Sequence, residues 1–246
     1  MGNSMEQLKK GFEEIGLSFT EAIAERFQRY YDFLMERNQQ VNLTAITEWQ
    51  DVVEKHFLDS LSLLLFCPVD ALSGLKILDL GTGAGFPGVP LALVLPDTQF
   101  VLTDSLQKRT VFLEELSAKL SLSNVSVVHA RAEDLAKQAD FREQFDYVVS
   151  RAVANLSVLS EYCLPFVKVG GWFCPFKAED IEEEQKEASF AVETLGGAVS
   201  SVKRFQVPTS DLHRTILMIQ KKKHSPLRYP RKAGMPAKMP LKKGAV

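Results

Sequence analysis

The sequence predicts an α/β fold: a mostly parallel sheet closed by an antiparallel hairpin, preceded by an N-terminal helical extension. Three observations carry this. Short apolar runs alternate with helical runs from residue 75 onward, the signature of a parallel sheet with helices on both faces. The first apolar run ends in an acid and a glycine-rich turn, Asp79-Leu80-Gly81-Thr82-Gly83-Ala84-Gly85-Phe86-Pro87-Gly88. The last two runs, 198–206 and 213–220, flank Pro208-Thr209-Ser210-Asp211 with no helix between them and so read as a two-strand closure.

Taken in order, residues 1–70 form a helical cap. A helix starts at Phe19-Thr20-Glu21 and carries Ile23, Phe27, Tyr30, Tyr31 and Leu34 on one face. Asn38 is expected to end it, and 39–46 to be an ordered loop. Thr47-Glu48-Trp49-Gln50 reads as a capping box for a second helix with Val53, Phe57, Leu61, Leu64 and Leu65 inward. Pro68 stops that helix. His56 and Asp59 share one of its faces, as a ligand pair or, the blander reading, a local hydrogen bond. The main domain, 71–220, has expected strands at 76–80, 99–103, 125–129, 145–150 and 171–176. Its expected helices are 90–95, 106–120, 133–139, 156–167 and 181–195.

Composition narrows the class. Apolar residues are 46% and charged residues 24%, enough for an ordinary core. No apolar run is long enough to span a bilayer, and the polar first ten residues lack a secretory signal. No membrane association and a cytoplasmic location are expected. Cys67, Cys163 and Cys174 lack metal-ligand spacing and read as small buried apolar residues. No metal site is expected. Net charge is −2, but residues 221–246 hold nine Lys/Arg and no Asp or Glu. This basic tail reads equally as a polyanion site or as a solvated end.

The turn after the first strand is the strongest chemical signal. A helix N-terminus after a glycine turn presents free N–H groups to a ligand. A glycine turn alone is shared by many nucleotide sites. Asp79 makes this one more specific, because a carboxylate at the mouth would repel a diphosphate and attract a cationic ligand. S-adenosylmethionine has an adenosine, a sulfonium, an ammonium and no phosphate. Asp79, Gly81, Gly83, Gly85 and Phe86 are therefore cofactor candidates. Asp104, 23 residues after Gly81, closes the second strand, where an acid accepts from ribose hydroxyls. It reads also as the N-cap of the next helix. Ala132 and Glu133 follow the third strand, facing an adenine edge or simply sitting in the first turn of a helix. Arg151 ends the fourth strand. It reads as a fork for phosphate or guanine, or as an ion-pair partner of Asp79, Glu133 or Asp146.

Together these stretches resemble the glucose-inhibited division protein B family (RsmG), bacterial 16S ribosomal RNA guanine-N7 methyltransferases. The shared stretches begin with Val41-Asn42-Leu43-Thr44-Ala45-Ile46, His56-Phe57-Leu58-Asp59-Ser60 and the 79–88 turn. They continue with Asp104-Ser105-Leu106-Gln107-Lys108-Arg109, Arg131-Ala132-Glu133, Ser150-Arg151-Ala152-Val153-Ala154 and Arg231-Lys232-Ala233-Gly234-Met235-Pro236. Phe176-Lys177-Ala178 departs from the usual Leu-Lys-Gly, and Thr82 stands where serine is also common. The resemblance implies a Rossmann-like class I S-adenosylmethionine-dependent methyltransferase. It implies cofactor contacts at Gly81, Phe86, Ala132-Glu133 and Arg151, with S-adenosyl-L-homocysteine as product. Arg151 also becomes the candidate catalytic residue, where cofactor and RNA meet. The implied partner is 16S rRNA or the small ribosomal subunit, and the chain is expected to act as a monomer. Lys108, Arg109, Lys221, Lys222, Lys223, Arg228, Arg231 and Lys232 become phosphate-contact candidates. On residues alone three rivals stand: a methyltransferase for small molecules or proteins, a nicotinamide-dependent oxidoreductase, and a non-catalytic RNA-binding module.

Overall fold

The computed structural model describes residues 2–151 and 154–244; Ala152 and Val153, part of one motif above, lie outside them. Its sheet has seven strands in the order β3-β2-β1-β4-β5-β7-β6. The strands are β1 (Lys76–Leu80), β2 (Gln99–Asp104), β3 (Val125–His129), β4 (Phe145–Ser150), β5 (Val167–Lys177), β6 (Gly197–Gln206) and β7 (His213–Lys221). β1 to β5 pair in parallel, and β7 lies antiparallel between β5 and β6. The chain leaves β1 toward β2 and β3 and returns to β4 on the other side. Strand order thus reverses between β1 and β4, where open α/β sheets leave a crevice at their carboxyl ends.

The two faces carry separate cores. One joins the sheet to the helices Gly88–Val94 and Gln107–Lys119 and to the N-terminal extension. There α1 (Gly2–Ile15) buries Leu8 and Phe12, and α2 (Glu21–Val41) buries Phe27, Tyr30, Phe33 and Leu34. The other lies under Leu156–Cys163 and Glu182–Thr194 and takes in Tyr229 and Leu241 from the basic tail. All three cysteines are buried and unpaired.

Two local expectations change in the extension. Asn38 does not end α2, which runs three residues further to a left-handed Asn42. The Asn38 side chain instead ties down the loop beyond: Oδ1 accepts from Leu43 and Thr44 N–H, and Nδ2 donates to the Thr44 carbonyl. The capping box is not formed. Glu48 is the N-cap and makes no side-chain cap bond, while the Thr47 carbonyl is taken by the Tyr31 hydroxyl. The helical run 49–65 then passes through a π turn at Val53–Leu58. Such turns re-aim side chains and recur at functional sites; this one carries His56.

Candidate functional site

Two cavities open at the reversal point. The larger, about 870 Å³, lies between the 79–88 turn, the helical run 49–65 and the end of β5. The smaller, about 500 Å³, lies over the ends of β2 and β3. Gly81 and Arg109 line both.

The turn between them is built on Asp79. Its Oδ2 accepts from the Thr82 hydroxyl (2.6 Å) and from Gly88 N–H (2.7 Å), clamping both ends of the turn. A side chain at Gly88 would collide with Leu102 and with this carboxylate. A serine at position 82 would keep the bond, since only the hydroxyl is used. Asp79 is fully buried and lines neither cavity. This corrects its expected place at the mouth: Asp79 shapes the turn from beneath and has no surface in either cavity for a ligand to touch. Burial lifts its carboxyl from the ordinary 3.8 to about 6, against the lowering pull of its two hydrogen bonds, and Oδ1 has no partner. Gly85 also points inward, against Tyr30, Val89 and Leu113, and lines neither cavity. Gly81 and Gly83 do face open space, at φ of 72° and 61°. A ligand can therefore lie directly on the backbone there.

The smaller cavity fits a nucleoside. Leu106, Ala132, Ala154, Leu159 and Tyr162 supply apolar walls. Asp104 Oδ2 accepts from Gly83 N–H (3.1 Å) and from Arg109 (3.2 Å), and Oδ1 accepts from Leu106 N–H (2.9 Å). It thus faces the cavity, but it is not the N-cap expected of it: Leu106 caps the helix Gln107–Lys119, and Asp104 takes the N–H of that cap residue. Glu133 is buried and accepts from Gly234 N–H of the tail (3.0 Å).

Arg151 pairs with none of the three acids expected of it. Asp146 lies at the far end of β4, bound to Lys76 N–H and Lys168. Arg151 instead donates to Asp59 Oδ2 (2.8 Å) and the Lys55 carbonyl (3.0 Å), and reaches His56 Nδ1 (3.1 Å). Its guanidinium stands 5.0 Å from the centroid of Phe86, a cation–π contact. His56 stacks on the same ring at 4.4 Å. His56 Nδ1 lies between the Arg151 guanidinium (3.1 Å), which can only donate, and the Lys55 carbonyl (3.0 Å), which can only accept, and Nε2 lies 2.9 Å from Thr44 Oγ1. Burial, then the Arg151 charge, pull the imidazole down to about 3, so it stays neutral at physiological pH. His56 and Asp59 do not bond each other, as their shared helix face suggested, but meet through Arg151. Arg214 of β7 approaches the other Asp59 oxygen at 3.5 Å.

The basic candidates divide. Arg109 lines both cavities in an ion pair with Asp104, not an outer surface. Lys221 is fully buried, bound to the Leu164 carbonyl, Ser225 Oγ and Glu143, and is closed to any phosphate. Arg231 is engaged by Glu161, with contacts of 2.6–3.2 Å. Lys108, Lys222, Lys223, Arg228 and Lys232 are exposed. The sequence reading did not assign Lys55, Lys177 or Arg214 to the site, though all three line the larger cavity. The i, i+3 pair His56/Asp59 was the available clue to this wall; Arg214 had none, because only sheet pairing brings β7 beside β5. Ala178 does not have a positive φ, so the missing glycine leaves no strain there.

These residues fit S-adenosylmethionine. A buried acid with a free oxygen lies beneath the turn, an acid faces the nucleoside cavity, and bare glycine backbone separates the two spaces.

Comparison with known proteins agrees. The family model described as rRNA small subunit methyltransferase G matches residues 23–215. A ribosomal RNA small subunit methyltransferase G from Lachnoclostridium phytofermentans is 48% identical over 94% of this chain and 95% of its own length. One from Alkaliphilus oremlandii is 49% identical over 96% and 98%. Among solved structures, a SAM-dependent methyltransferase from Aquifex aeolicus superposes with a TM-score of 0.51 at 18% identity, covering 69% of this chain and 92% of that one. At that identity the match speaks for the fold.

Proposed function

The chain belongs to the rRNA small subunit methyltransferase G family, and from that premise we propose that it methylates N7 of a guanosine in the decoding region of 16S rRNA. It is an S-adenosylmethionine-dependent ribosomal RNA methyltransferase. The observation that carries the site assignment is the pair of cavities meeting at Gly81, one suited to adenosine and one walled by Arg151, His56 and Asp59.

In this reading Asp104 and Glu133 hold the nucleoside in the smaller cavity, while Gly81, Gly83 and Phe86 line its passage to the larger one. The cofactor supplies an electrophilic methyl group on a sulfonium. Guanine N7 has an in-plane lone pair and no proton at neutral pH, so the chain need provide no general base. That suits a site whose one imidazole is held neutral by burial and Arg151. What the residues must do is orient and exclude water. Arg151, fixed by Asp59, His56 and the Phe86 face, offers a rigid donor fork to a base edge or phosphate. The exposed Lys108, Lys222, Lys223, Arg228 and Lys232 supply charge for the RNA backbone. None of the described helices is long and apolar enough to cross a membrane, and a ribosomal substrate is consistent with a cytoplasmic location.

The test is incubation with methyl-labelled S-adenosylmethionine and undermethylated small subunits or 16S rRNA, followed by mapping. Label at one guanosine N7 is expected. Label on another base, or none, would reject the assignment.

A further inference from the structure

The basic tail is not free. After β7 it is anchored first by Arg142, which donates to the carbonyls of Ser225 and Tyr229, both at 2.9 Å. Tyr229 and Leu241 are buried in the second core. At its centre Arg231 gives its backbone N–H (2.8 Å) and its guanidinium (2.6–3.2 Å) to Glu161, a fully buried acid. The same guanidinium donates to the Met239 carbonyl (2.7 Å), closing the tail on itself. Three residues after Arg231, Gly234 lines the smaller cavity and places its N–H on Glu133. The helix Leu156–Cys163 that carries Glu161 also lends Leu159 and Tyr162 to that cavity. Tail and cavity wall thus share one ion pair.

We propose that residues 222–244 are a positioning element of the adenosine subsite, in which Arg231, locked on Glu161, sets Gly234 against Glu133 and raises affinity for the nucleoside part of the cofactor. This rests on the reading that the smaller cavity holds adenosine. The physical case is that a carboxylate bound on one oxygen cannot swing out of the cavity, so less freedom is lost when a ligand arrives. Removing the Arg231 side chain leaves Glu161 buried with no counter-charge and only the backbone N–H bond, an unfavourable state that the helix relieves by shifting or admitting water. Either response moves the wall that Leu159 and Tyr162 form. Coupling between sites is reciprocal, so a bound nucleoside must in turn hold the tail down.

The experiment uses the full chain and S-adenosylhomocysteine. By calorimetry, Arg231→Ala should raise its Kd about tenfold, with Arg231→Lys between Ala and native because a lysine keeps charge but not the fork. Independently, saturating S-adenosylhomocysteine should slow tryptic cleavage of the native tail after Arg228 and Lys232 about fivefold or more. That arm decides the matter even if Arg231→Ala does not fold. A tail that becomes protease-sensitive in Arg231→Ala while Kd stays native, or a native tail cut at one rate with and without ligand, would overturn the proposal. A native chain that binds no S-adenosylhomocysteine would overturn the cofactor reading along with it.

Discussion

Two buried ionisable groups, Lys221 at the end of β7 and Asp79 at the end of β1, are treated in opposite ways. Lys221 has Leu164 O, Ser225 Oγ and Glu143 around its ammonium. Asp79 has one oxygen doubly bonded and the other without a partner. Burial lowers the lysine from 10.5 to about 8, which still leaves most of it charged at neutral pH beside Glu143. Burial raises the aspartic acid to about 6. The first site is electrostatically complete and serves the fold. The second is incomplete in the protein alone, and a cation above the turn would complete it.

The comparison can be broken at several points. The largest effect should come from Arg151→Ala, which removes the donor fork in the larger cavity. Methyl transfer should fall about a hundredfold or more, as for other oriented donors at a reacting centre, while circular dichroism shows a folded chain. Normal turnover would put the reacting base elsewhere. Asp104→Ala should weaken S-adenosylmethionine binding about tenfold or more by calorimetry, since it removes both a ligand acceptor and the support of Gly83. Unchanged affinity would take Asp104 out of the subsite.

Lys221→Ala and Asp79→Asn sharpen the contrast directly. Lys221→Ala empties a fully buried position and takes the donor from the Leu164 carbonyl and Ser225 Oγ, and should cost on the order of 3 kcal/mol in denaturant unfolding. Asp79→Asn removes an unfavourable buried charge and should leave stability equal or higher at pH 8 while weakening S-adenosylmethionine binding. The reverse ranking of the two stabilities would refute the distinction.

The smallest effect is in pH. Asp79 holds its proton more tightly folded, at about 6, than unfolded, near 3.8. Its contribution to stability is therefore full below the lower value and is lost as pH rises through the upper one. Cofactor binding should run the other way. S-adenosylmethionine affinity should fall as pH drops through about 6, and S-adenosylhomocysteine, which lacks the sulfonium, should fall less. Parallel profiles for the two ligands would show that Asp79 does not sense the sulfonium.

Much of this was legible in the chain. β1, β3 and β4 match their expected limits because each is a short apolar run bounded by turn residues. The sequence also located Gly81, Gly83 and Asp104 at the strand ends, where the two cavities open, because a glycine turn and a strand-terminal acid are local features. The capping box is not formed because the helix begins one residue later than the motif predicts, with Glu48 rather than Thr47 as its N-cap. Lys221 looked like its neighbours Lys222 and Lys223, yet it is the last residue of a strand and points inward. Composition cannot tell alternate faces of a strand when all three residues are the same.

By itself, the sequence determined the order of elements, the place of the glycine-rich turn and the family, because these depend on local periodicity and contiguous motifs. Tertiary structure alone decided what Arg151, Asp79 and the tail do. Arg151 meets Asp59 across 92 residues and Gly234 meets Glu133 across 101. Over such separations a charge has many candidate partners in the chain, and only packing selects one.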